Sequence, residues 1–316
     1  MTQCLKNAGL LLLMALSVAA AHAAAPYTKM MSGGLERQYV LVTPSLASTQ
    51  AVPLIVVLHG TVGTGKKMQE GLNFDKYVNS HGFAVAYPDA YIEPGGRAKT
   101  TRWNDGRGTL ASSKLGVDDV QFLRDMVRDI GTRTRLDMAR IYVTGPSNGG
   151  IMSYRVACEA ADLFAAAAPV IGNVARPIAD RCKPVRPISV LALNGTADPF
   201  VPFDGGTVCS GVGKFFCEGG EVISSTDSLD IFARGAGCAA RPRQTRLPPR
   251  VTEDPPVDRL SYEGCRDGKT VGAYWVQGGG HNWPPNAGQL GKRNGPATRN
   301  LDATKVIVEF FMGNRP

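Results

Sequence analysis

The chain has 316 residues, 43% hydrophobic and 20% charged. That composition belongs to a globular protein and excludes collagen-like and charge-rich disordered classes. The net charge of +8 (35 basic against 27 acidic side chains) is spread along the chain. Its densest cluster, Arg234 to Arg250, is broken by Gly and Pro and reads as a solvated loop, so neither nucleic acid nor a membrane is expected as a partner.

At the N-terminus Lys6 precedes the apolar run Ala8 to Ala21, and Ala21-His22-Ala23 offers a small-x-small cleavage site. This predicts a secretory signal peptide over residues 1–23, too short and too weakly flanked to anchor a membrane. Cys4 lies before the apolar run, which excludes the lipid-modified cysteine of a lipoprotein. One domain, about residues 26–316, is expected to follow, exported and soluble, with no internal repeat.

Short apolar runs predict strands at Tyr39 to Val42, Leu54 to Leu58, Phe83 to Tyr87, Ile141 to Thr144, Ala165 to Ile171, Ile188 to Leu193 and Val271 to Val276. Several lack polar alternation, as strands covered on both faces of a parallel sheet do. Val117, Val120, Leu123, Val127 and Ile130 follow helical spacing after Gly116, and Ala303 to Met312 predicts a last helix. Strand–helix alternation of this kind means an α/β fold. The glycine-rich stretches Pro94 to Gly116 and Pro199 to Gly220 fit neither element. Both follow strand ends, where the ligand crevice of an open α/β sheet lies.

Gly145-Pro146-Ser147-Asn148-Gly149 sits between a strand and the helix-like stretch Ile151 to Cys158. This is G-x-S-x-G in strand–turn–helix context, the pattern of a nucleophile elbow, whose tight turn leaves no room for side chains at the glycines. A serine hydroxyl needs a base to take its proton and a carboxylate to hold that base. In an α/β-hydrolase these follow in the order serine, acid, histidine. His281, in Gly278-Gly279-Gly280-His281-Asn282-Trp283-Pro284, is the one histidine after Ser147. Asp198 follows the strand Ile188 to Leu193 at short distance and is the preferred acid; Asp204 is the nearby competitor. Asn194-Gly195-Thr196 also matches a glycosylation sequon, but its place beside the acid favours a structural role.

An oxyanion needs hydrogen-bond donors. The backbone N–H of Asn148 is one candidate, and the loop Leu58-His59-Gly60-Thr61 supplies the other, from Thr61 or alternatively Gly60. His59 precedes Ser147 and is read as structural. Trp103 and Trp283 flank the expected cleft, as stacking surfaces for substrate or as packing residues.

After the signal six cysteines remain, an even count that argues for disulfides in an exported chain. Near-neighbour pairing gives Cys158–Cys182, Cys209–Cys217 and Cys238–Cys265. There is no C-x-x-C, and histidine is scarce, so no metal and no cofactor are expected. Oligomeric state is left open.

Leu58-His59-Gly60, Trp103-Asn104, Val117-Asp118-Asp119-Val120, Gly145 to Gly150, Asn194 to Asp198 and Gly279 to Pro284 together resemble secreted esterases grouped with polyhydroxybutyrate depolymerases and feruloyl or acetylxylan esterases. The resemblance covers nearly all of the expected mature chain and implies an α/β-hydrolase fold. It places that family's triad on Ser147, Asp198 and His281. Members acting on insoluble polyester resemble a catalytic domain with an added polymer-binding domain. This sequence ends at Pro316, right after its last predicted helix, and the expectation shifts to oligomeric or amorphous polyesters, or to feruloyl and acetyl esters of plant polysaccharide. A serine peptidase on the same fold and an inactive secreted binding protein are the alternatives.

Overall fold

The structure, a computed structural model, describes residues 25–45, 50–92, 101–210, 219–286 and 291–313. The expected signal peptide and Cys217 lie outside the described residues.

In chain order the elements are strands β1 (Tyr27–Ser32), β2 (Leu35–Val42) and β3 (Val52–Val57), helices α1 (Gly65–Leu72) and α2 (Asp75–His81), and strand β4 (Ala84–Pro88). Helices α3 (Ala111–Lys114) and α4 (Asp119–Gly131) lead to β5 (Leu136–Pro146), α5 (Asn148–Glu159), β6 (Ala166–Val170), α6 (Arg176–Ala179) and β7 (Ser189–Gly195). A small ribbon of β8 (Gly206–Thr207) and β9 (Glu221–Val222) precedes α7 (Ser225–Gly235), β10 (Arg243–Arg246), β11 (Val257–Tyr262), β12 (Val271–Val276) and α8 (Ala303–Phe311).

Ten strands form one sheet in the order β1-β2-β4-β3-β5-β6-β7-β12-β11-β10. The block from β4 through β12 is parallel, and the outer strands on both sides are antiparallel. The parallel strands β3, β4 and β6 are buried at every residue, because helices cover both faces. Two apolar cores result. One holds Leu54, Val56, Ile141 and Val143 with the inner faces of α4 and α5. The other holds Ile55, Val57, Leu191 and Leu193 with α8.

Helix starts follow capping chemistry. The carboxylate of Asp118 accepts from the Gln121 N–H at 2.9 Å to open α4, and Asp302 does the same for Lys305 in α8 at 2.9 Å. Every expected strand is present, with ends shifted by a few residues. Five strands carry no strong apolar run, and β10, Arg-Gln-Thr-Arg, is an exposed edge strand. The cluster Arg234 to Arg250 is therefore a correction to the sequence reading: it begins in α7 and includes β10, although its arginines stay largely outside. A charged edge strand of this kind discourages pairing with other chains.

Disulfides Cys158–Cys182 and Cys238–Cys265 join α5 to the turn after α6, and the end of α7 to the turn after β11. Cys209 is also disulfide-bonded; the pairing expected for it, with Cys217, falls outside the described residues. Among the described residues no helix is long and apolar enough to cross a membrane.

Candidate active site

The carboxyl ends of β3, β5, β7 and β12 converge on a cavity of about 610 Å³. Gly60, Thr61, Ser147, Asn148, His281 and Trp283 all line it.

Ser147 stands between β5 and α5 with φ 58 and ψ −121, a region that non-glycine residues rarely occupy. Its N–H donates to Val170 O at 3.0 Å, and its carbonyl accepts from Ile151 N at 2.9 Å, so the strain is fixed from both sides. The flanking glycines are steric necessities. A Cβ on Gly145 would lie 2.6 Å from Leu58 O, and one on Gly149 would lie 2.7 Å from His59 O. The elbow is thereby pressed against the end of β3, which carries the candidate oxyanion loop.

Asp198 and His281 meet at 2.6 Å, Oδ2 to Nδ1, with both side chains almost wholly enclosed. The other oxygen of Asp198 accepts from the N–H groups of Phe200 at 2.8 Å and Val201 at 2.9 Å. With the carboxylate filled by donors, the shared hydrogen belongs to Nδ1 of His281, leaving its Nε2 as an acceptor. The His281 backbone is held as well: its N–H donates to Asn294 O at 2.6 Å, and the preceding Gly280 leaves no space for a Cβ beside that same carbonyl. The competing acid, Asp204, is exposed and takes no part.

His59 is fully buried, with both ring nitrogens engaged. Nε2 accepts from the Ala90 N–H at 2.9 Å, so Nδ1 carries the hydrogen and donates to Gly60 O at 2.7 Å. Burial holds this imidazole below its usual pKa, against the opposing pull of the Gly60 carbonyl, and it stays neutral. Its consequence is geometric. The Gly60 carbonyl is drawn toward His59, and in a planar trans peptide the Thr61 N–H must point the opposite way. Among the described residues that N–H has no backbone acceptor. Asn148 opens α5, so its N–H likewise has no carbonyl within the helix.

Trp103 corrects the sequence reading. It is wholly buried, its indole N–H donates to His59 O at 2.9 Å, and its ring packs between His59 and Phe122. No face is left to stack on a ligand. Trp283 does line the cavity, with its indole N–H held by Thr304 Oγ1 at 3.0 Å.

The segment around Trp103 also contains functional neighbours the sequence did not single out. The Asn148 side chain accepts from Trp103 N at 2.8 Å and donates to Asp105 Oδ2 at 2.6 Å. Asp105 is ion-paired with buried Arg107 at 2.8 Å. Asn104 N donates to Asp119 Oδ2 at 2.7 Å, and Asp119 is itself paired with buried Arg37 at 2.6 Å. The two buried pairs pin residues 103–107 against the elbow. Trp103-Asn104-Asp105, in a stretch of sequence without apolar periodicity, was the available signal.

This sheet, with its crossovers and its strained serine turn, defines the α/β-hydrolase class. An acetyl xylan esterase from Aspergillus awamori shares the fold with a TM-score of 0.58 at 14% identity, over 92% of this chain and 100% of that one. The model of the family "Esterase PHB depolymerase" matches residues 37–204, which include the loop Leu58 to Thr61, the turn at Ser147, and Asp198. Feruloyl esterase B of Piromyces equi is 32% identical over 248 residues, 78% of this chain and 42% of that protein. The putative esterase NocK of Nocardia uniformis subsp. tsuyamanensis is 30% identical over 268 residues, 83% and 74% of the two chains. The chain belongs to the esterase PHB depolymerase family; it spans less than half the length of the first of these relatives.

Proposed function

We propose that the chain is an exported serine carboxylic-ester hydrolase in which Ser147 is the nucleophile, His281 the general base and Asp198 the residue that orients the base. The observation that carries this reading is the 2.6 Å Asp198–His281 contact at the rim of the cavity that Ser147 faces from its strained turn.

His281 Nε2 takes the Ser147 proton as Oγ bonds to the ester carbonyl carbon, and the carbonyl π electrons move to oxygen. The N–H groups of Thr61 and Asn148 stabilise that oxyanion, a service whose loss at one donor typically costs ~10²–10³ in rate. Collapse breaks the bond to the alcohol, which leaves with the proton from His281. Water, deprotonated by His281, then adds to the acyl-enzyme, and the acid departs as Ser147 regains its proton. Asp198 remains an acceptor throughout and steadies the imidazolium.

The relatives named as feruloyl and acetylxylan esterases, and the family name itself, support two substrate classes: feruloyl or acetyl esters of plant polysaccharide, and polyhydroxybutyrate-type oligo- or polyesters. Two intact disulfides fit an oxidising compartment, in keeping with the expected signal peptide. Replacing Ser147 with Ala is expected to abolish p-nitrophenyl ester hydrolysis with unchanged circular dichroism, and Asp198→Asn to lower kcat by about 10⁴-fold. Activity surviving in the Ser147→Ala protein would refute the assignment.

A further inference from the structure

Left-handed backbone at non-glycine residues gathers around the cavity. Six described non-glycine residues have positive φ, and five of them, Val62, Asn73, Ser147, Ile171 and Cys209, line it. Four have a local reason. Ser147 is the elbow; Asn73 is the left-handed cap of α1, a place that suits asparagine. Cys209 is disulfide-bonded, and buried Ile171 is locked by its N–H to Leu193 O at 2.7 Å.

Val62 is anchored as Ile171 is, its N–H donating to Thr101 O at 3.1 Å, but nothing local calls for a valine side chain there. Its φ is 55, it is 42% exposed, and β-branching makes it among the least suitable residues for that region. It is the third residue of the Gly60–Gly63 turn, closed by Gly63 N to Gly60 O at 3.0 Å, a place where a turn of this sense takes glycine or asparagine. Glycine would hold the same turn without strain. Burial of the side chain does not explain a valine here, because so much of it is open. What the side chain does have is a place on the cavity wall, one residue from the Thr61 amide, in a lining that includes apolar Met68, Leu72 and Phe200.

We propose that Val62 is a specificity-determining residue whose isopropyl group forms an apolar lip beside the oxyanion amides, covered when an apolar portion of the ester substrate binds. The inference rests on Ser147 being the nucleophile. The apolar portion belongs either to the acyl chain or to the alcohol, and two substrate series separate them.

The test compares the natural protein with Val62→Gly and Val62→Thr. One series is p-nitrophenyl acetate, butyrate and hexanoate; the other is acetate esters of alcohols of increasing length. In one series both variants should lose preference for the longer over the shortest ester by about fivefold, mainly through KM; that lies below the ~10–200-fold that a methylene can contribute in an enclosed pocket, since the lip is half open. The threonine variant keeps the branched shape and removes only apolar contact. The unfolding midpoint of Val62→Gly should not fall, because strain is released. An equal loss on every ester, unchanged preference in both series, or a fallen midpoint would overturn the proposal. Ser147→Ala runs alongside: activity persisting there defeats the nucleophile assignment, whereas a dead Ser147→Ala with unaltered Val62 preferences defeats the lip alone.

Discussion

His59 and His281 sit at the ends of β3 and β12 and differ in what their nitrogens face. His281 has Nδ1 on the carboxylate of Asp198, whereas His59 has both nitrogens committed to backbone. The difference has a thermodynamic signature. A histidine kept neutral by burial gives an unfolded state that binds more protons once pH drops below the unfolded value near ~6.5. Above that pH the penalty is absent; as pH falls it grows until the folded ring also protonates. Urea unfolding at pH 5.5 should therefore give a stability lower than at pH 7.5, with His59 contributing to the loss. The His59 ring carbon resonance should titrate at lower pH than an ordinary histidine. A His59 resonance that titrates at or above the usual histidine value, or a stability that rises on acidification, would contradict this account.

The unit that matters among elements is strand β5, the elbow and helix α5, pressed on the end of β3. Gly149 is the contact point, and overpacking of this kind costs about 1–3 kcal/mol. Gly149→Ala is expected to lower the thermal midpoint by several degrees and to cut ester hydrolysis at least tenfold, because the Thr61 and Asn148 amides would be pushed apart. Gly131→Ala, at an exposed helix end with open space around its Cα, should lower neither. The elbow was legible in the sequence because its glycines and its strand–helix flanks are local signals. The long segment around Trp103 was not: its backbone is held at Asn104 N–H by Asp119, which is itself paired with Arg37 far away in the chain, and no periodicity records such contacts. Strands β10 and β11 were missed for a related reason, since one is an exposed edge and the other alternates too briefly against polar neighbours.

For the whole molecule, the sheet order turns sequence order into proximity. Ser147, Asp198 and His281 are separated by dozens of residues, yet they follow β5, β7 and β12, which stand in one parallel block with only β6 between. Each therefore emerges at the same edge, where an open α/β sheet places its ligand crevice. Scarce histidine and recognisable strand ends made these three residues readable as candidates in the sequence; the strand order and the cavity wall required the fold. The most direct measurement of the central claim is labelling of the folded protein with a fluorophosphonate probe, followed by mass spectrometric mapping. A single adduct on Ser147, lost when His281 is replaced by Ala, is predicted. A folded protein that takes no label, or takes it at another residue, would contradict the assignment.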